Sequence, residues 1–354
     1  MNNLQSADKH TFLRNAWYVA ALSSEVEEQA YFTRKILDES ILIYRSKSGK
    51  PIALHDRCPH RFAPLSLGSR NGDNVTCLYH GLQFDSEGEC VKNPHGNGKI
   101  PKACKVQRYI TEERDGFIWI WMGDAEKADQ DMILDCSRLS ENPASSVGHM
   151  YMYNQCNYEL LTDNIMDLSH IDHLHGPFIN TGGKLSPLIP EITENRDGKP
   201  LHVRWDWEAD PVIPLIAPHM QRPDDKADMF LAVSWTEPSN LTLTLGTVQD
   251  SDDYLNDGIM LFDFHIMTPE TATTTHYFFA STRNYKMDDA EYNEAKMAGM
   301  REAFTTEDKP VIEAQQQEMA THDLWSLNPV LLSCDAGAVR ARRRLSQLIE
   351  AENI

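Results

Sequence analysis

Two short stretches decide how the first third of this 354-residue chain is read: Cys58-Pro59-His60-Arg61 and, with sixteen residues between His60 and its first cysteine, Cys77-Leu78-Tyr79-His80-Gly81. Each offers one thiol and one imidazole from a segment too short to be a regular element. Structural zinc sites pair Cys with Cys and His with His, with two to four residues inside the Cys pair. Here both pairs are mixed, and a single residue separates Cys58 from His60, so zinc is the weaker reading. A pair of chemically distinct irons suits the arrangement better. Each loop would give its Cys to one iron and its His to the other. Two neutral imidazoles in place of two thiolates make such a cluster less negative and raise its potential.

The segments around these loops carry strand signals. Ile41-Leu42-Ile43-Tyr44 and Ile52-Ala53-Leu54 flank a turn at Ser48-Gly49-Lys50-Pro51 and predict a hairpin. Phe117-Ile118-Trp119-Ile120-Trp121 is aromatic and β-branched throughout and predicts a buried strand. A small all-β domain is expected over residues 1–125. From Cys156 onward the pattern changes. Tyr158, Leu161, Ile165 and Leu168 recur at helical spacing, and Gly176-Pro177 predicts the end of that helix. Leu201 to Trp207, Leu241 to Leu245, Ile259 to Met267 and His276 to Ala280 alternate or run as strands, whereas Met287–Met319 and Ala336–Glu352 read as helices. The second domain, 126–354, is expected to be an antiparallel sheet with helices packed on it, so the chain as a whole is α+β.

Composition excludes several classes of function. With 33 Lys and Arg against 53 Asp and Glu, the net charge is −20, which argues against nucleic acid or an anionic membrane as the main partner. The longest clean apolar run, Phe117–Met122, is far too short to span a bilayer. Seven scattered cysteines do not form a secreted disulfide framework, and the first fourteen residues hold no apolar core of leader length, so a reduced, cytoplasmic protein is expected. Cys90, Cys104, Cys136, Cys156 and Cys334 read as small buried hydrophobes.

A cluster of this kind moves single electrons and does no bond chemistry by itself, which directs attention to a second site. Asp163 to His175 contains Asp163, Asn164, Asp167, His170, Asp172, His173 and His175. Two His and a carboxylate form the facial triad of non-haem Fe(II) oxygenases, with positions left open for O₂. In an ideal helix Asp167, His170 and His173 follow at ~60° steps, while His170 and His175 lie ~140° apart. Chelation by His170 and His175 therefore requires a break. On geometry alone His173 competes with His175.

Cys58-Pro-His60-Arg61 with Cys77-Leu-Tyr-His80-Gly81 resembles the Rieske [2Fe–2S] signature of Rieske non-haem iron oxygenases. Asp167-x-x-His170-x-x-x-x-His175 resembles their mononuclear-iron motif. The opening Phe12 to Ala20, and the segments Thr268-Pro269-Glu270-Thr271 and Ser281 to Tyr285, are similar to the short, α-only aromatic O-demethylases of the vanillate O-demethylase type. The resemblance implies an N-terminal Rieske domain and a helix-grip catalytic domain. Cys58 and Cys77 would bind one cluster iron and His60 and His80 the other. His170 and His175 would hold the mononuclear Fe(II), with Asp308 as third ligand and Glu307 as its substitute. Asp167 would link His170 to His80 of a neighbouring chain, and Asn164 would lie near the iron.

The implied activity is monooxygenation of a methyl or methoxy carbon of a small aromatic acid, with O₂ consumed and formaldehyde released. A homotrimer is implied, supplied with electrons by a separate flavin or ferredoxin-type reductase using NAD(P)H. No G-x-G-x-x-G fingerprint occurs in this chain. Competing readings are a ring-hydroxylating dioxygenase forming a cis-diol and a Rieske electron carrier without oxygenase activity. His265 is a candidate for holding a substrate carboxylate, against a surface histidine. Arg340, Arg342, Arg343 and Arg344 are candidates for docking an acidic reductase domain, with a solvated helix face as the favoured alternative.

Overall fold

A computed structural model describes residues 11–194 and 200–353. The chain divides into two compact units, Met1–Ile133 and Leu134–Ile354. Among the described residues of the first unit every regular element of length is a strand. The strands are β1 (Trp17–Leu22), β2 (Phe32–Ile36), β3 (Glu39–Arg45), β4 (Pro51–His55), β5 (Ser69–Asn71), β6 (Asn74–Thr76), β7 (Gln83–Phe84), β8 (Cys90–Lys92), β9 (Arg108–Arg114) and β10 (Phe117–Trp121). One sheet runs in the order β1-β10-β9-β4-β3-β2 and a smaller one in the order β5-β6-β7-β8. The expected hairpin is β3–β4, with Ile41 opposite His55 and Tyr44 opposite Ile52. All five residues of β10 are buried. The apolar core built from Leu42, Tyr44, Leu54 and Phe84 also encloses Cys58 and Cys77, so both thiols are anchored in the packing of the sheets.

The second unit is one antiparallel sheet with helices. Its strands are β11 (Gly148–Asn154), β12 (Glu191–Glu194), β13 (Leu201–Ala209), β14 (Ala227–Thr236), β15 (Asn240–Val248), β16 (Ile259–Thr271) and β17 (Thr274–Arg283), in the order β11-β17-β16-β15-β14-β13-β12. The helices are α1 (Arg138–Glu141), α2 (Tyr158–Met166), α3 (Ile171–Leu174), α4 (Ala290–Ala303), α5 (Lys309–Met319) and α6 (Ala336–Glu352). Asn157 caps α2 by accepting the Glu159 N–H. The buried face of α2 packs on β14, β15 and β16, the long middle strands of the sheet.

Two departures from the sequence pattern shape the site. The helix from Tyr158 ends at Met166 instead of running to Gly176. Asp167 turns to φ −125° and ψ 97°, its carboxylate accepts the Ser169 N–H, and a 3₁₀ turn, Leu168–His170, leads into α3. An Asp side chain competes for backbone donors in this way, which is why it favours caps over helix interiors. The long helix expected over 287–319 is interrupted by a π turn, Phe304–Asp308, joining α4 to α5. Wide turns of this kind recur at functional sites.

Candidate redox and metal centres

The two Cys/His stretches fold into matched loops. Phe62 N–H donates to the Cys58 carbonyl and Cys58 N–H to Ala63; Gly81 N–H donates to the Cys77 carbonyl and Cys77 N–H to Leu82. Both loops turn on a left-handed residue four positions after the cysteine, Phe62 at φ +59° and Gly81 at φ +72°. Glycine takes that conformation freely, and Phe62 takes it at a cost, held by its N–H bond to the Cys58 carbonyl and by the Arg57 guanidinium over its ring. Both thiols are buried and in hydrogen-bonding contact, and burial pushes the Cys58 thiol up to about 11. The imidazoles lie outward, with ring centroids of His60 and His80 4.5 Å apart. Sulfurs in the core and histidines at the surface suit a cluster with one inner and one outer iron. A cavity of about 560 Å³ borders His60 and His80 and also touches His95. The His95 Nε2 lies 2.8 Å from the His80 carbonyl and steadies the second loop. Sequence reasoning passed over His95, which carries no ligand spacing and stands alone in the Asn93-Pro-His-Gly loop.

In the second unit the break at Asp167 does what an unbroken helix could not. It brings the rings of His170 and His175 to a centroid separation of 5.2 Å. His170 Nε2 lies 3.6 Å from one Asp308 oxygen, and His175 Nε2 lies 3.6 Å from the other. His175 and Asp308 are buried, and the Asp308 Oδ2 has no hydrogen-bond partner. Two imidazole nitrogens and a carboxylate, converging with an orphaned buried oxygen, fit a facial metal site. Asn164 Nδ2 donates to Asp308 Oδ1 at 3.2 Å and lies 3.5 Å from His170 Nε2. His173 faces outward and bonds the Ser186 hydroxyl, so it is not part of this group.

The far nitrogens of the two histidines are held differently. His175 Nδ1 lies 2.6 Å from Glu307 Oε2. The π turn thus presents two successive carboxylates to the site, Asp308 toward the metal position and Glu307 toward the back of His175. His170 Nδ1 lies 2.7 Å from the backbone carbonyl of Asp167. The one-turn spacing predicts that bond for the Asp167 carboxylate. The carboxylate is instead committed to the Ser169 N–H and the Cys334 thiol. Helix spacing located the residue correctly, but the broken helix turned its carbonyl to the ring.

His265 is not a surface histidine. It is 2% exposed, its Nδ1 is 2.5 Å from the Tyr277 hydroxyl, and its Nε2 has no partner. Phe279 and Phe304 pack against it edge-on. Phe304 opens the π turn that carries Glu307 and Asp308. The basic cluster of the last helix is divided: Arg342 is buried against α2, and Arg344 pairs with Glu237.

An all-β unit with a mixed Cys/His loop pair, followed by an antiparallel sheet with a two-His, one-carboxylate group, defines a Rieske non-haem iron oxygenase. Residues 16–108 match the Rieske [2Fe-2S] domain and residues 154–351 the vanillate O-demethylase oxygenase C-terminal domain. The chain belongs to the vanillate O-demethylase family of Rieske oxygenases. It is 38% identical to the oxygenase component of chloroacetanilide N-alkylformylase from Rhizorhabdus wittichii, covering 96% of this chain and 97% of that one. It is 37% identical to the oxygenase component of dicamba O-demethylase from Stenotrophomonas maltophilia, covering 97% and 99%. The crystal structure of dicamba monooxygenase bound to 3,6-dichlorosalicylic acid superposes with a TM-score of 0.88 at 36% identity, over 96% of this chain and 98% of that one. The protein is therefore the oxygenase component of a multicomponent system. It uses a [2Fe–2S] cluster and mononuclear iron and requires a separate reductase. Among the described residues no helix is long and apolar enough to cross a membrane.

Proposed function

We propose that the chain demethylates a small aromatic acid at a methyl or methoxy carbon, releasing formaldehyde from a methoxy group. The observation that carries this reading is the convergence of His170, His175 and Asp308 in one chain with the matched Cys58/His60 and Cys77/His80 loops. Cys58, Cys77, His60 and His80 would hold the cluster, and His170, His175 and Asp308 the mononuclear iron. That iron, when bound, supplies O₂ activation at its open positions. The protein's own residues prepare the place. Glu307 fixes the tautomer and orientation of His175, and the Asp167 carbonyl does the same for His170. Asn164 steers Asp308 through a single hydrogen bond.

The aromatic surroundings of His265 support a planar substrate. Burial drives this imidazole down to about 3 and holds the Tyr277 hydroxyl protonated. With Tyr277 donating to Nδ1, the ring's one proton sits on Nε2, where it donates to a substrate carboxylate oxygen. Exposed apolar residues flank the cluster loops, Phe62, Leu78 and Tyr79, and others, Val330 and Leu331, line a cavity with Asp167. These two patches support a homotrimer in which the cluster of one copy serves the iron of the next, with Asp167 on the path. The electron supply would come from a flavin or ferredoxin-type reductase using NAD(P)H.

The test is turnover of 3-methoxybenzoate-type acids with a broad-specificity reductase, following O₂ uptake, phenol and formaldehyde together. Equimolar phenol and formaldehyde is the expected result. A cis-diol without formaldehyde would make the chain a dioxygenase. Two irons per chain where three are expected would make it an electron carrier.

A further inference from the structure

We infer that Arg342, on the C-terminal helix, is a positioning residue for the mononuclear iron site, acting through the last turn of α2. The inference rests on the ligand assignment proposed above. Arg342 is 5% exposed and lies on the apolar face of α6, among Ala338, Ala341 and Leu345. Its Nε lies 2.9 Å from both Asp163 oxygens, its Nη2 2.7 Å from Oδ2, and its Nη1 3.1 Å from Glu159 Oε2. Glu159 and Asp163 stand four residues apart on one face of α2, a spacing at which like charges repel. One planar guanidinium satisfies both, in a fork that no other side chain reproduces. Gly337 lets α6 lie close on β13 and on the end of α2. A Cβ there would lie 2.7 Å from Val203 Cγ2 and 3.3 Å from the Met166 methyl.

The consequence follows the backbone. The Asp163 carbonyl accepts the Asp167 N–H at 3.0 Å, and the Asp167 carbonyl faces His170 Nδ1 at 2.7 Å. Asn164, next in the chain, donates to Asp308. The residue clamped by Arg342 therefore sets the height of the carbonyl that aims His170 and of the amide that aims Asp308. A helix near the end of the chain thus tunes a metal site whose ligands lie up to 172 residues earlier, from Arg342 back to His170.

The experiment uses the full-length holoprotein. Arg342→Lys keeps the charge and loses the fork; Glu159→Gln and Asp163→Asn combined with Arg342→Gln replace the three charged groups by neutral amides. In each, cluster absorbance per chain is compared with ferrous iron retained against a weak chelator and with the EPR line shape of the nitric-oxide adduct of the ferrous site. The expected result is unchanged cluster content, about tenfold weaker retention of mononuclear iron, and an altered nitrosyl line shape, by the size of effect that outer partners of metal ligands have. Iron retention and line shape equal to the parent in both variants would overturn the inference. Parallel loss of cluster and iron would overturn it too, since α6 would then hold the fold and not the site. A parent that retains no mononuclear iron would remove the ligand assignment, and this inference with it, whereas a parent with iron and unaffected variants removes only the role of Arg342.

Discussion

Glu307→Gln isolates the contribution of the carboxylate behind His175. The wild-type contact is 2.6 Å between Nδ1 and Oε2, short enough for a charge-assisted hydrogen bond, and the Glu307 side chain is 32% exposed, so its charge is partly screened. Gln keeps the length and an acceptor oxygen but loses the charge. It also brings an NH₂ that, if turned toward the ring, would stabilise the wrong tautomer. Outer carboxylates on metal-bound histidines are worth about 10- to 100-fold in metal affinity, which is ~1.4–2.7 kcal/mol. The exposure places Glu307→Gln at the lower end, about tenfold, with Glu307→Ala nearer the upper end because it also removes the bond to the Gly176 N–H side of the loop. The assay is competition of ferrous iron between the protein and a calibrated chelator, with the cluster spectrum as internal control. An affinity unchanged within twofold in both variants would refute the reasoning. Complete loss of iron in Glu307→Gln, with Asp308→Asn harmless, would show that Glu307 and not Asp308 is the ligand.

His173→Ala should leave iron content and turnover unchanged, because His173 is exposed and bonded to Ser186, whereas His170→Ala should lose mononuclear iron and keep the cluster spectrum; metal analysis of both variants decides. Asp167→Ala should keep iron, since a carbonyl and not the carboxylate holds His170, while single-turnover oxidation of the reduced cluster slows by on the order of 100-fold; iron loss would contradict this. His265 is neutral in the fold with its pKa moved from 6.5 to about 3, so the unfolded chain binds the extra proton between those values. Stability should rise with pH from about 3 to 6.5 on its account, and His265→Gln should flatten that part of a pH-dependent denaturation series. A curve identical to the parent would count against a buried neutral imidazole. Purified protein should be red-brown, with a Rieske-type EPR signal on dithionite reduction, and a colourless protein after anaerobic reconstitution with iron and sulfide would remove the cluster reading.

The first centre was legible in the sequence because its chemistry is local. Each loop spans six residues, and the Cys/His order and the left-handed position at Gly81 follow from the turn itself. The strands of both sheets were legible for the same reason, since alternation and β-branching act at a range of a few residues. The second centre was legible only as a set of candidates. Periodicity predicts a helix through His173, and an unbroken helix keeps His170 and His175 apart. The break came from Asp167 capping the next turn, a choice between two local hydrogen bonds that the packing of α2 on the sheet decides. The choice of Asp308 over Glu307 came from the resemblance and not from local spacing, which does not separate adjacent carboxylates; a π turn sets Asp308 toward the Nε2 atoms of His170 and His175 and Glu307 toward His175 Nδ1. The depth of His265, and the passage of Arg342 from an apparent surface cluster into a buried clamp, depend on partners 12 and 179 residues away along the chain. Contacts at such separations are created by the closing of the sheet and its helices, and no local preference encodes them.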